Sequence, residues 1–176
     1  MALGANLARL HIVCYPDPVL RRTCRPVQTF DDEFRRLAER MLELMREGKG
    51  VGLAAPQVGL DICMFVCSPT GEPGDDRIVV NPVLSDMTGT CEAEEGCLSL
   101  PNITVPVRRA EKVTLRAQDV SGRRLELDGK DLEARIWQHE TDHLTGRLII
   151  DYMSEASRIA NRRALKQLRE ADKKSA

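Results

Sequence analysis

The sequence predicts an α+β protein: antiparallel strands around one central helix, with a further helix near the N-terminus and another at the C-terminus. Three observations carry that prediction. Short runs that alternate apolar and polar residues, or are continuously apolar, recur between turn residues. Only three stretches repeat apolar residues at helical spacing. One clear hairpin joins neighbouring strands antiparallel, and neither an internal repeat nor a linker divides the chain.

Length and composition bound what those elements can be. A chain of 176 residues, 42% hydrophobic and 30% charged, is expected to bury a core as one domain spanning 1–176. The net charge of −1 gives no reason to expect binding to DNA or to a membrane surface. From Ser154 onward the balance shifts to seven Lys/Arg against three Asp/Glu, so 154–176 reads as a basic C-terminal helical tail. No segment approaches the ~18 apolar residues of a membrane span. Asn6, Arg9 and His11 interrupt any apolar run that could act as a secretory signal, so a cytoplasmic protein is expected. The six cysteines are then expected to be reduced. Cys14, Cys24, Cys63 and Cys67 sit among apolar residues and read as small core side chains.

In chain order, His11 to Val27 carries Pro16, Pro18 and Pro26, which exclude a helix and leave an extended, wrapping segment. His11 has no partner at ligand spacing and reads as an ordinary structural histidine. Asp31 is a good N-cap, and Phe34, Leu37, Met41, Leu44 and Met45 follow at helical spacing until Gly48-Lys49-Gly50 stops the helix. Gly50 to Gly59 (GVGLAAPQVG) reads as a loop whose small residues allow close backbone approach. It lacks the Lys-Ser/Thr of a phosphate loop, and its one polar side chain, Gln57, could face a carbonyl oxygen. Residues 62–67 and 77–84 read as strands joined by the turn-rich Ser68 to Asp76. Glu94 to Pro101 (EEGCLSLP) reads as a shaped loop rather than an alternating strand. Val113, Leu115 and Ala117 alternate with polar residues and pair with Leu125 and Leu127 across a Ser121-Gly122 turn. Gly129 precedes the central helix, and Gly146 should end it. From Ser154 one further helix is expected, with Ile159, Leu165 and Leu168 on a thin apolar side.

The central helix carries the chemistry. His139 and His143 are four apart, hence on one helix face, and Glu140 follows the first directly. Leu132, Ile136, His139 and His143 run at 4-3-4 spacing, which puts both imidazoles on the apolar stripe. Two imidazoles at this spacing can hold one metal ion from a rigid helix, with the carboxylate within reach of a water in an open position. A third ligand must come from elsewhere. A cysteine thiolate would complete a three-ligand site of the kind that catalytic centres use, and spacing alone leaves Cys97 and Cys91 both open.

Three segments together resemble the peptide deformylase family in its compact bacterial form: GVGLAAPQ at 50–57, EGCLSLP at 95–101 and QHETDH at 138–143. The YPDPVLRR stretch and the run at 107–113 also fit, so the likeness covers most of residues 10–153. The resemblance implies a metal-dependent hydrolase that removes the formyl group from the N-terminal methionine of new polypeptides. It implies Cys97, His139 and His143 as metal ligands and Glu140 as acid/base. Gln57 and the Leu98 backbone N–H become donors to the formyl oxygen, and Val51, Gly52, Glu95 and Ile136 line the peptide and methionine site. It further implies one divalent ion, Fe2+ in the cell, with Zn2+, Ni2+ or Co2+ compatible with purified protein. Its partners would be formyl-methionyl nascent peptides and, through the basic terminal helix, the ribosome. One departure stands out: where many bacterial members carry arginine near the bound peptide, this chain has Thr104. A metallopeptidase with the same helix motif is the competing enzyme reading, and a cysteine ligand argues against it.

Overall fold

The computed structural model describes residues 7–72 and 74–175. Residues 1–6 and 176 lie outside the described residues, and with them part of the reading of the N-terminus and the end of the tail. The α+β class is borne out. A five-stranded antiparallel sheet has the order β1-β2-β3-β6-β7, from Gly52–Ala54, Met64–Cys67, Arg77–Thr88, Lys112–Gln118 and Arg124–Lys130. A two-stranded sheet pairs β4 (Cys91–Gly96) with β5 (Thr104–Arg109).

Helices α1 (Asp32–Glu47) and α2 (Asp131–Leu144) pack on opposite faces of the larger sheet. The division is visible along β2. Met64 and Val66 join the core under α1, whereas Phe65 and Cys67 join the core under α2. A strand covered on both faces is continuously apolar, which is why Met-Phe-Val-Cys shows no alternation. The strand β6, by contrast, alternates because only its Val113, Leu115 and Ala117 face α2.

Two junctions fix where α2 lies. Strand β7 runs into it with no intervening loop, and the turn is made at Asp131, whose φ is +52°. Aspartate enters this left-handed region more easily than most residues. A Cβ on Gly129 would lie 2.4 Å from the Trp137 ring, so glycine lets the indole seat directly on β7. At the other end Gly146 (φ +75°) terminates α2 under the N-terminal segment; a Cβ there would meet Arg21 O at 2.5 Å.

Several expectations are corrected. The segment 50–59 is not all loop: Gly52–Ala54 is an edge strand, followed by a 3-10 turn at Ala55–Val58. The strand expected at 77–84 continues to Thr88, with register shifts that absorb Pro82 and its neighbours. Residues Cys91–Gly96 form a strand, so only the part from Cys97 onward is the shaped loop. Cys14 is exposed, because the extended segment at 10–27 covers the core with only part of its length, and Cys63 packs half-buried at the margin of the core under α2. The terminal helix is broken into α3 (Glu155–Ala160) and α4 (Arg162–Ser175). Asn161 sits at the break, its amide donating to Ser157 O and Thr104 O.

Candidate metal centre

The site forms where three separate parts of the chain converge beside α2. The first is the end of β4. Strand pairing carries Glu95 and Gly96 opposite Val105 and Thr104, and the chain leaves the ladder at Cys97. Cys91 stands at the far end of the same ladder opposite Arg109. Six residue steps of about 3.3 Å each separate it from Cys97, which decides between the two thiols.

Cys97 Sγ lies 3.4 Å from His143 Nε2, and the ligand atoms of Cys97, His139 and His143 all lie within 4.8 Å of one another. A tetrahedral divalent ion with ordinary metal–sulfur and metal–nitrogen bonds holds such atoms about 3.5 Å apart, so the donor set fits. The environment of His143 fits as well. Burial, helped by the charges of His139 and Arg109, keeps His143 well below its ordinary pKa and therefore neutral. His139 is driven the other way: burial is outweighed by its hydrogen bonds to Cys97 and Glu95, which hold it well above the ordinary imidazole pKa, a preference for positive charge at the same point.

Glu95 orients that ring. Its Oε2 is 2.9 Å from His139 Nδ1, which leaves Nε2 facing the other ligands. The carboxylate is buried and answers to three partners. Arg109 grips it through two hydrogen bonds of 3.0 Å, and Arg135 donates to it at 2.7 Å. Burial pushes the Glu95 carboxyl up, but the bonds from His139 and Arg109 overcome this and hold it at about 2. Arg109 also reaches Asp142 at 2.5 Å and lies over the Tyr152 ring, and Arg135 donates to Val107 O and Cys91 O. The supporting role of Arg109 and Arg135 has no local sequence signal; only the β4–β5 pairing against α2 brings them to Glu95.

Glu140 projects from α2 toward Gly52 on the edge strand. A Cβ on Gly52 would lie 2.3 Å from its carboxylate, so this glycine is required by close approach. Among the described residues Glu140 Oε2 has no hydrogen-bond partner although it is buried. Burial raises the carboxyl to about 7, with the charge of His139 pulling it back. Gln57 is fixed by its Oε1, which accepts from Ala54 N–H at 2.8 Å. Its amide nitrogen then points at Cys97 Sγ (3.4 Å) and Ser99 Oγ (3.3 Å).

A cleft of about 410 Å3 opens onto this cluster, and all of Val51, Gly52, Gln57, Glu95, Cys97, Leu98, Ile136, His139 and Glu140 line it. His143 lies behind, buried. Leu132, expected on the core face of α2, is instead 50% exposed and forms part of the cleft wall, as does Val51 at 42%. Thr104 begins β5 and is not a lining residue, so the departure from arginine changes the cleft's surroundings rather than its floor.

One cysteine sulfur and two imidazoles on an open cleft, beside a buried carboxylate whose Oε2 has no partner among the described residues, define a mononuclear metallohydrolase site. Comparison with known proteins specifies the kind. The family of polypeptide deformylases matches residues 9–158. The peptide deformylase of Acidobacterium capsulatum is 43% identical over 162 residues, covering 91% of this chain and 95% of the relative. That of Alkalilimnicola ehrlichii is 44% identical over 163 residues, covering 92% of each. The crystal structure of peptide deformylase from Thermus thermophilus superposes with a TM-score of 0.87 at 43% identity, covering 92% of this chain and 98% of that one. This chain belongs to the polypeptide deformylase family.

Proposed function

We propose that Glu140, in the cleft formed with Cys97, His139 and His143, drives removal of the N-terminal formyl group from formyl-methionine of newly made polypeptides. The enzyme is a hydrolase, and its Cys/His/His group supports one divalent metal ion. The observation that carries the reading is the buried, unpartnered Glu140 carboxylate held near neutrality next to that group. Such a carboxylate is suited to take a proton and return it near physiological pH.

A divalent ion on these ligands would supply Lewis-acid polarisation of the carbonyl and a lowered pKa for the attacking water. Glu140 accepts the proton of that water as its oxygen bonds to the formyl carbon. It then delivers the proton to the departing amine as the C–N bond breaks, leaving formate and a free N-terminus. Negative charge grows on the formyl oxygen, where the Gln57 amide and the Leu98 backbone N–H donate; one such donor is worth roughly 3 kcal/mol. Glu95 keeps His139 in place. Ile136, Val51 and Gly52 give an apolar bed for the methionine side chain and space for the peptide.

The fit of a thiolate with two imidazoles allows Fe2+ or Zn2+ equally; we assign Fe2+ as the cellular metal. The site belongs to one catalytic domain working in the cytoplasm, and no helix among the described residues is long and apolar enough to cross a membrane. The basic α3–α4 segment, with Arg158, Arg162, Lys166 and Arg169 around one groove, is assigned to ribosome contact. Release of formate from a formyl-Met peptide by protein loaded with Fe2+, and separately with Zn2+, tests the reading. Turnover is expected with the wild type; one bound ion per chain and no formate from either form would overturn it.

A further inference from the structure

The extended N-terminal segment is tied down by its own backbone at three places that matter to the site. Val13 N–H donates to Gln57 O, Tyr15 N–H to Ser99 O, and Cys24 N–H to Leu144 O at the end of α2, each at 2.9 Å. Beyond the last of these, Arg25 and Ile62 form a parallel bridge, with Arg25 N–H on Asp61 O (2.8 Å) and Cys63 N–H on Arg25 O (2.9 Å). Cys24 and Cys63 flank this bridge and pack in the same core under α2. The Cys63 thiol donates to Cys24 O at 3.3 Å, which sets the two cysteines side by side at the bridge.

We propose that Cys24 and Cys63 are a redox-active dithiol that closes to a disulfide on meeting a peroxide or a small-molecule disulfide, clamping the N-terminal segment against the sheet beside α2. The geometry sets the order of events. Cys63 is half-buried and Cys24 only 7% exposed, so the reagent meets Cys63 first. The Cys63 thiolate attacks a peroxide oxygen, the O–O bond breaks, and Cys63 becomes a sulfenic acid with release of water. The Cys24 sulfur then attacks the Cys63 sulfur; its proton leaves with the hydroxyl as a second water as the S–S bond forms. Two thiols have lost two electrons and the peroxide has become two waters. A small-molecule disulfide reaches the same end through a mixed disulfide on Cys63 and yields two small thiols. The closeness of the two thiols favours this sequence, since Cys24 lowers the Cys63 thiol while Cys63, with burial, raises that of Cys24.

The test treats metal-loaded, full-length protein with hydrogen peroxide or oxidised glutathione, then alkylates it unfolded and maps the peptides. Wild-type protein should lose two hydrogens in mass and give one linked peptide pair containing Cys24 and Cys63, with both thiols recovered by dithiothreitol. Cys63→Ser and, separately, Cys24→Ser should give no link and leave the remaining partner reducible and alkylatable. Amide exchange at Val13 and Tyr15 should slow in the oxidised wild type and not in Cys63→Ser. Both thiols staying alkylatable after either oxidant would overturn the proposal. So would a link from either one to another cysteine, sulfinic acid on Cys63 with no link, or a disulfide that leaves exchange at Val13 and Tyr15 unchanged.

Discussion

Helices α1 and α2 cover opposite faces of the same two strands and differ in nearly every other respect. Helix α1 opens with Asp31, whose carboxylate accepts from Phe34 N–H at 2.9 Å, and it buries only apolar side chains, from Phe34 to Met45. Helix α2 has no side-chain cap, enters through a left-handed residue, and buries Gln138, Glu140 and His143 while leaving Leu132 in solvent. Its Gln138 is paired with both backbone groups of Ala110. Among the described residues, its Glu140 Oε2 has no partner. A helix obeying every local rule holds the fold, and the one that breaks several of them holds the chemistry. The cost is met by what surrounds α2: Trp137 on Gly129, and the Arg109–Glu95–Arg135 network.

Substitutions can break this contrast or sharpen it. The largest effect is expected for Glu140→Gln. It should lower kcat by about 10²–10⁴, up to roughly 5 kcal/mol of barrier, while metal content and Tm hold or improve. Metal analysis with formate release checks it; a fall in Tm with activity kept would make Glu140 a structural residue. On α1 the pattern should invert. Met41→Ala, at a fully buried position, should cost about 2–5 kcal/mol in denaturant unfolding with kcat per folded molecule unchanged.

Glu95→Gln tests the support of α2. Because the folded carboxyl is held at about 2, below its unfolded value of 4.5, the ionised group stabilises the protein above pH 4.5 and loses that effect as pH falls toward 2. Wild type and variant should therefore differ by roughly 3 kcal/mol at neutral pH and converge in acid. A gap in unfolding free energy that persists at pH 2 would assign the loss to packing. Metal affinity of the variant should also drop by about 10–100-fold, since His139 loses its orienting partner. The smallest effect belongs to the cap: Asp31→Ala should remove about 1 kcal/mol of stability and leave metal binding and turnover untouched.

The sequence by itself determined what rests on neighbours along the chain. Helix α1 with its Asp31 cap, the β6–β7 hairpin, the Gly146 stop and the shared face of His139 and His143 all follow from local periodicity and turn chemistry. The three segments that resemble the deformylases carried the family in the same local way. Tertiary structure decided whatever depends on register between distant segments. It placed Cys97 rather than Cys91 beside the histidines, turned Leu132 outward, drew β3 past Pro82 to Thr88, and broke the terminal helix at Asn161. It also made Glu95 the partner of His139 instead of a plain cleft residue. These outcomes turn on which residues from separate strands and helices meet, and side-chain spacing within one segment holds no information about its partner's register.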